Sequence, residues 1–366
     1  MMTPMNPPRL TFFTLPHLAQ LPQLQALPAE IREQMSWVAH VLPFRVNNYV
    51  VDELIDWNAI PTDPIFQLTF PQPGMLLPEH YGRLAAVFGD EPPEASATRS
   101  GEARAVIDEI RRELNPHPQG QLQHNVPTID GTPLPGMQHK YRETVLVFPA
   151  AGQTCHAYCT FCFRWAQFVG MPDLKLASDE SSRYFEYLRR HPEVSDVLFT
   201  GGDPMVMRTD ALARHLEPLL GPGFEHIRSI RIGTKSLSYW PYRYFGDKDS
   251  DELMRLLERV VGAGRHLAFM VHFNHWRELE TPAVERAISR LRSVGAVLRT
   301  QSPLARHIND HGDVWARMWQ RQVQLGCVPY YMFVGRDTGA QHYFKISLVQ
   351  AVDIYRNAMQ QVSGLA

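Results

Sequence analysis

Cys155, Cys159 and Cys162 lie in one short run, Cys-His-Ala-Tyr-Cys-Thr-Phe-Cys-Phe-Arg-Trp, and make up three of the chain's four cysteines. Thiolates so closely spaced can hold a soft, positively charged group. Structural zinc sites usually take four nitrogen or sulfur ligands in paired short spacings, and no second Cys-x-x-Cys follows here. Three thiolates on one loop suit a [4Fe-4S] cluster with three irons bound to protein and a fourth open to another ligand. An open iron points to catalysis. A zinc knuckle or a redox-regulated cysteine group is the alternative reading of the same residues. His156 reads as a loop residue rather than a fourth ligand. Cys327, in Leu-Gly-Cys-Val-Pro-Tyr-Tyr, reads as the approach to a buried strand, where a free cysteine behaves as a small hydrophobe.

The elements that must position this loop follow a regular pattern. After residue 140 short apolar runs alternate with amphipathic helices, which predicts repeated βα units and a parallel sheet. Strands are expected at 145–148, 197–200, 227–233, 267–273, 297–301 and 330–334, and helices at 179–190, 210–219, 251–263, 282–294, 313–325 and 347–361. Six such units make an α/β fold, a partial (β/α)6 barrel of the TIM type, over 141–366. A mainly helical, proline-rich extension is expected over 1–114 and an irregular connecting arm over 115–140, with a leucine-rich helical stretch at 21–39 and an amphipathic helix at 102–114. The Pro/Glu/Ser-rich stretch 90–101 reads as a solvated linker.

In barrels of this class the chemistry lies at the carboxyl ends of the strands. The cysteine loop follows the first expected strand. After the second comes Thr200-Gly201-Gly202-Asp203-Pro204, where two glycines let backbone approach a ligand closely. A bulky side chain at Gly202 is therefore expected to weaken ligand binding while leaving iron intact. The fourth strand ends in His272-Phe-Asn-His275 and the fifth in Gln301-Ser302. Polar groups in series at strand ends are costly to bury without a ligand, although each histidine could also be a satisfied core or surface residue.

Composition narrows the class further. Hydrophobic residues make up 44% and charged residues 20%, enough to bury a core. With 36 Lys+Arg against 38 Asp+Glu the net charge is -2, no footprint for nucleic acid or an anionic membrane. The N-terminus carries no basic region followed by an apolar one, and no apolar run reaches transmembrane length. Few cysteines, clustered as ligands, suit a reducing compartment, so a cytoplasmic enzyme is expected. There is no internal repeat.

The Cys-x3-Cys-x-Phe-Cys spacing, with Phe161 before the last cysteine, resembles that of the radical SAM enzymes. From about 133 to 361 the chain resembles their lysine 2,3-aminomutase branch more closely. The matching segments are Pro-Gly-Met-Gln-His-Lys-Tyr-Arg-Glu-Thr-Val-Leu-Val from Pro135, the cysteine loop, Thr-Gly-Gly-Asp-Pro, Arg231-Ile-Gly-Thr, His-Phe-Asn-His, Gln-Ser-Pro-Leu-Ala-Arg-His-Ile-Asn-Asp310 and Val-Pro-Tyr-Tyr-Met-Phe. The resemblance implies that Cys155, Cys159 and Cys162 bind the cluster and that S-adenosylmethionine chelates its open iron, cleaved by one electron to a 5′-deoxyadenosyl radical. It places that cofactor against Phe161, Gly201, Gly202, Asp203, Gln301 and His272. It implies an amino group exchanged between adjacent carbons of an amino acid held by pyridoxal phosphate. Arg164 would grip the substrate carboxylate, whose geometry a guanidinium fork matches. Asp310 would meet a distal amino group, or else cap the following helix.

The implied partners are a small amino acid substrate and an electron donor such as flavodoxin or ferredoxin; a homo-oligomer is compatible, and no nucleic acid or membrane is expected. The family's glycine-rich segment, whose lysine forms the imine with pyridoxal phosphate, has no counterpart before Ala366. Lys345 lies in Tyr-Phe-Lys-Ile-Ser, not in such a loop, and Lys235 ends the third expected strand. The expectation is a truncated chain, or SAM radical chemistry without a lysine aldimine, with very low aminomutase turnover. Phe-Arg-Trp after Cys162 replaces the several arginines of lysine-using members, which leaves the amino acid open. A radical SAM enzyme of a different reaction, and a non-enzymatic iron-sulfur or zinc module, are the other classes.

Overall fold

The computed structural model describes residues 7–89, 101–171, 176–178 and 181–366. Eleven strands are formed among them: β1 (Phe12–Thr14), β2 (Arg45–Asn47), β3 (Thr128–Ile129), β4 (Thr132–Pro133), β5 (Met137–Tyr141), β6 (Thr144–Val147), β7 (Asp196–Phe199), β8 (Ser229–Thr234), β9 (His266–His272), β10 (Val297–Pro303) and β11 (Val328–Phe333). The main sheet has the order β11-β10-β9-β8-β7-β6-β5. Strands β6 to β11 are parallel, and β5 is an antiparallel strand beyond β6. The sheet keeps two edges and does not close, so it is the expected partial barrel.

Strand β9 shows why the apolar runs become central strands. Leu267 to Val271 are all buried, a run of apolar side chains on both faces, as a parallel strand covered on two sides requires. The helices supply the cover. Ser250–Gly262 buries Leu253, Met254, Leu256, Leu257 and Val260 on one stripe and carries Asp251 and Glu252 in its first turn, where the helix dipole favours acids. Pro282–Ser293 is capped by Thr281, whose side chain accepts the Val284 N–H. The remaining barrel helices are Ser181–Arg190, Thr209–Leu216, Gly312–Gln324 and Leu348–Met359.

The sequence left less legible elements in the first 140 residues. Pro28 divides the leucine-rich stretch into a 3-10 turn, Pro22–Ala26, and a helix, Ala29–Val41. β1 and β2 pair antiparallel within the expected helical extension. The expected arm contains the β3–β4 hairpin, turned by Asp130 and Gly131, both at positive φ, and then β5. Apart from Gly101, the expected linker lies outside the described residues. Among those described, no helix is long and apolar enough to cross a membrane.

Candidate active site

The cysteine loop leaves β6 through a 3-10 turn, Ala150–Gly152, and is fastened from two sides. The N-terminal segment supplies one. Asn47 is fully buried, and its amide donates to the backbone oxygens of His156 at 3.0 Å and Tyr239 at 2.8 Å. The Asn47 side-chain oxygen accepts the Val50 N–H at 3.1 Å. Arg45 donates to Thr154 Oγ1 at 2.7 Å, and its carbonyl accepts Tyr158 N–H at 2.8 Å. Leu68 O accepts Thr160 N–H at 2.9 Å.

The Gly-Gly-Asp segment supplies the other side. Asp203 N–H donates to Gly152 O at 2.9 Å. A Cβ built on Gly202 would lie 2.4 Å from Thr154 N, and one on Gly201, at φ +139°, 2.0 Å from Gln153 Nε2. The close approach these glycines permit is thus to the residues just before Cys155. The Asp203 carboxylate is 1% exposed and accepts from Met205 N–H at 2.9 Å, Thr234 Oγ1 at 2.7 Å and Lys235 N–H at 2.9 Å. Burial pushes its pKa up to about 6 against those bonds. The carboxylate joins the ends of β7 and β8, and its oxygens are taken up by these bonds.

Cys155, Cys159 and Cys162 are half-buried free thiols. Burial pushes Cys162 up to about 12 and raises the other two. Such thiols keep their protons until a positive group displaces them. Among the described residues no three His, Cys, Asp or Glu side chains converge as ligands of one metal ion would, whereas a cubane meets each sulfur with a different iron. Cys327 is buried at the amino end of β11, at the opposite end of the strands from the loop.

Unpaired buried polar atoms crowd this loop. Gln153 Oε1, His156 Nδ1, Arg164 Nη1 and both amide atoms of Gln167 have no hydrogen-bond partner among the described residues. Buried polar groups are nearly always satisfied, so this concentration suits a loop that receives a ligand. Arg164 is 6% exposed, with its guanidinium 4.0 Å above the Phe148 ring, and burial pushes its pKa down to about 10. Phe161 meets Phe344 edge-on.

The β9–β10 register sets His272 beside Gln301, and the Gln301 amide nitrogen reaches His272 Nε2 at 2.5 Å. Burial holds His272 down to about 3, hence neutral. His275 serves the turn after β9 by accepting the Arg277 N–H. Asp310 is half-buried and accepts His307 N–H at 3.1 Å, while the following helix has His311 at its N-cap. The structure therefore places Asp310 outside the capping position. Lys235 donates to Glu278 Oε1 at 2.5 Å and Asn274 Oδ1 at 2.9 Å. Asn274 in turn donates to Ser302 Oγ at 2.8 Å, which links the ends of β8, β9 and β10 by one buried polar belt. Asn47, Tyr239 and Glu278 were missed from sequence. Glu278, three residues past His-Phe-Asn-His, was the one with a local signal.

Asn47→Ala should cost on the order of 2–4 kcal/mol, because two buried carbonyls and one N–H lose their partners at about 1–3 kcal/mol each with partial relaxation. The melting temperature and the iron per chain should fall together; an unchanged iron content would show that the loop holds without this clamp.

No protein-family model matches the chain. It is 30% identical over 353 residues, 96% of its length and 80% of the relative's, to a protein of Aquifex aeolicus assigned as an L-lysine 2,3-aminomutase. The chain belongs to the lysine 2,3-aminomutase family of radical SAM enzymes. Within that family, the L-lysine 2,3-aminomutases of Fusobacterium nucleatum and Clostridium subterminale are each 28% identical over 65% and 64% of this chain. The chain spans about half of their length, 52% in both. Among solved structures, a radical SAM methyltransferase from Sphaerobacter thermophilus overlaps 62% of this chain and 66% of its own, with TM-score 0.41 and 12% identity. Streptococcus suis SuiB bound to S-adenosylmethionine overlaps 78% and 63%, with TM-score 0.42 and 10% identity. At that distance neither bears on what this family member does.

Proposed function

We propose that the chain is an amino acid isomerase of the 2,3-aminomutase type, with Arg164 as receptor for the substrate carboxylate. The observation that carries this reading is a buried guanidinium, two residues past the last cysteine, with one nitrogen that has no partner among the described residues. An unpaired buried cation is costly, and a carboxylate is its natural complement. Cys155, Cys159 and Cys162 would hold a [4Fe-4S] cluster, and S-adenosylmethionine on its open iron would lie toward Phe161, the Gly201–Gly202 segment, His272 and Gln301. Together these groups supply a carbon radical when loaded and reduced. Arg164 would fix the amino acid by its carboxyl end, with the buried Phe148 ring covering one face of the guanidinium. Asp310, half-buried after β10, would favour a substrate with a distal amino group.

Pyridoxal phosphate finds no free lysine at the site among the described residues. Lys235 is committed to Glu278, and Lys345 is exposed. The same pairing of Lys235 favours a second reading, a radical reaction on an amino acid that does without an imine.

Anaerobic protein given S-adenosylmethionine, dithionite and single amino acids should release 5′-deoxyadenosine and, from the true substrate, a β-amino acid seen by mass and NMR. Absence of 5′-deoxyadenosine from iron-loaded protein rejects the radical SAM assignment of the site; its release without β-amino acid supports the second reading. Arg164→Lys should raise KM for the amino acid about 10- to 100-fold, the loss of a bidentate charged contact of about 1.5–3 kcal/mol. An unchanged KM would remove Arg164 from the substrate.

A further inference from the structure

Tyr239 closes the short helix Ser236–Tyr239 after β8 and is 1% exposed. Its hydroxyl lies 3.1 Å from Cys159 Sγ, with no other hydrogen-bond partner among the described residues. The ring is held from several directions. Lys235 Nζ sits 4.5 Å from its centroid and is itself fixed by Glu278 and Asn274. Ser238 donates to the same Glu278 oxygen, and Asn47 holds the Tyr239 carbonyl.

A cysteine that binds iron has given up its proton. Across a 3.1 Å contact only the phenol can then donate. The ammonium of Lys235 over the ring face withdraws electron density toward itself. Hydrogen bonds to cluster sulfurs are among the determinants of a cluster's reduction potential. Adding an electron places more negative charge on those sulfurs, so a donor there stabilises the reduced form more than the oxidised one.

We propose that Tyr239 donates a hydrogen bond to the cluster-bound sulfur of Cys159 and thereby makes the cluster easier to reduce, with the Lys235–Glu278 pair fixing the ring in place. One electron enters from an external donor of the flavodoxin or ferredoxin class. No bond forms or breaks at Tyr239, and the phenolic proton stays on its oxygen. Tyr239 is a positioning residue that acts through Cys159. The inference rests on the cluster reading.

The test is an EPR-monitored redox titration of the anaerobically loaded protein with dithionite and mediators, comparing the wild type with Tyr239→Phe and with 3-fluorotyrosine placed at 239. Phenylalanine should disfavour reduction by about tenfold, equivalent to 59 mV toward more negative potential for one electron. Fluorotyrosine, a stronger donor of nearly the same shape, should shift the potential the other way. A purely structural role would not give opposite shifts. If the phenylalanine variant fails to hold its cluster, the fluorotyrosine protein decides alone. Unchanged potentials with full iron, or shifts of the same sign, overturn the inference and leave the cluster reading standing; wild-type protein without iron after reconstitution overturns the cluster reading itself.

Discussion

Replacing any one of Cys155, Cys159 or Cys162 by alanine should remove the iron and the brown colour of anaerobically purified protein, while Cys327→Ala should keep both. Three ligands leave no redundancy. A cluster held by two thiolates has two irons open to solvent, so each single loss should be close to total, and iron per chain should drop from about four to near zero. Cys327 is buried at the amino end of β11, away from the strand ends that carry the loop. Its removal leaves a cavity of one sulfur atom, with a cost on the order of 1 kcal/mol that should register in melting temperature alone. Iron and zinc analysis on the same samples checks the result. Loss of iron in the Cys327 variant would break the assignment, and stoichiometric zinc without iron in the wild type would restore the zinc alternative.

The cysteine loop could be read from sequence because its chemistry lies in local spacing. The βα alternation was legible for a related reason: strands such as β9 are buried on both faces, and a five-residue apolar run needs no partner to be recognised. What holds the loop was not legible. Asn47 reaches His156 across 109 positions and Tyr239 across 192, and a lone asparagine in an N-terminal segment carries no sign of either partner. β5 escaped notice because Gln138, His139 and Lys140 give an edge strand with little apolar character. The Asp130-Gly131 turn before it is a hairpin signal, but the strands it joins are two residues long. Lys235 shows the limit of reading positions alone. It ends the third expected strand, where a lysine could meet a cofactor, yet Glu278, 43 residues further on, pairs with it.

The Gly-Gly-Asp segment is where the structure changes an expected result most. From sequence, a side chain on Gly202 should crowd S-adenosylmethionine and spare the iron. In the fold, the Cβ of Gly202→Val would fall 2.4 Å from Thr154 N and 2.5 Å from Thr154 O. Both neighbours are backbone, and neither can rotate away. Relief requires moving the residue before Cys155, against the Arg45 contact to Thr154 and the Asp203–Gly152 hydrogen bond. Overpacking of this kind costs on the order of 3 kcal/mol or more. The strain falls on the first iron ligand. Gly202→Val should therefore lose most of its iron and, with it, measurable S-adenosylmethionine binding, and melt earlier than the wild type. Gly262→Ala is the matched control, since a Cβ there meets nothing within 4 Å and should leave iron unchanged. Iron analysis beside calorimetric binding separates the two accounts. Full iron with weakened binding in Gly202→Val would mean that the glycine serves the ligand directly; loss of both would mean that it serves the loop, and that the cofactor depends on it through Cys155.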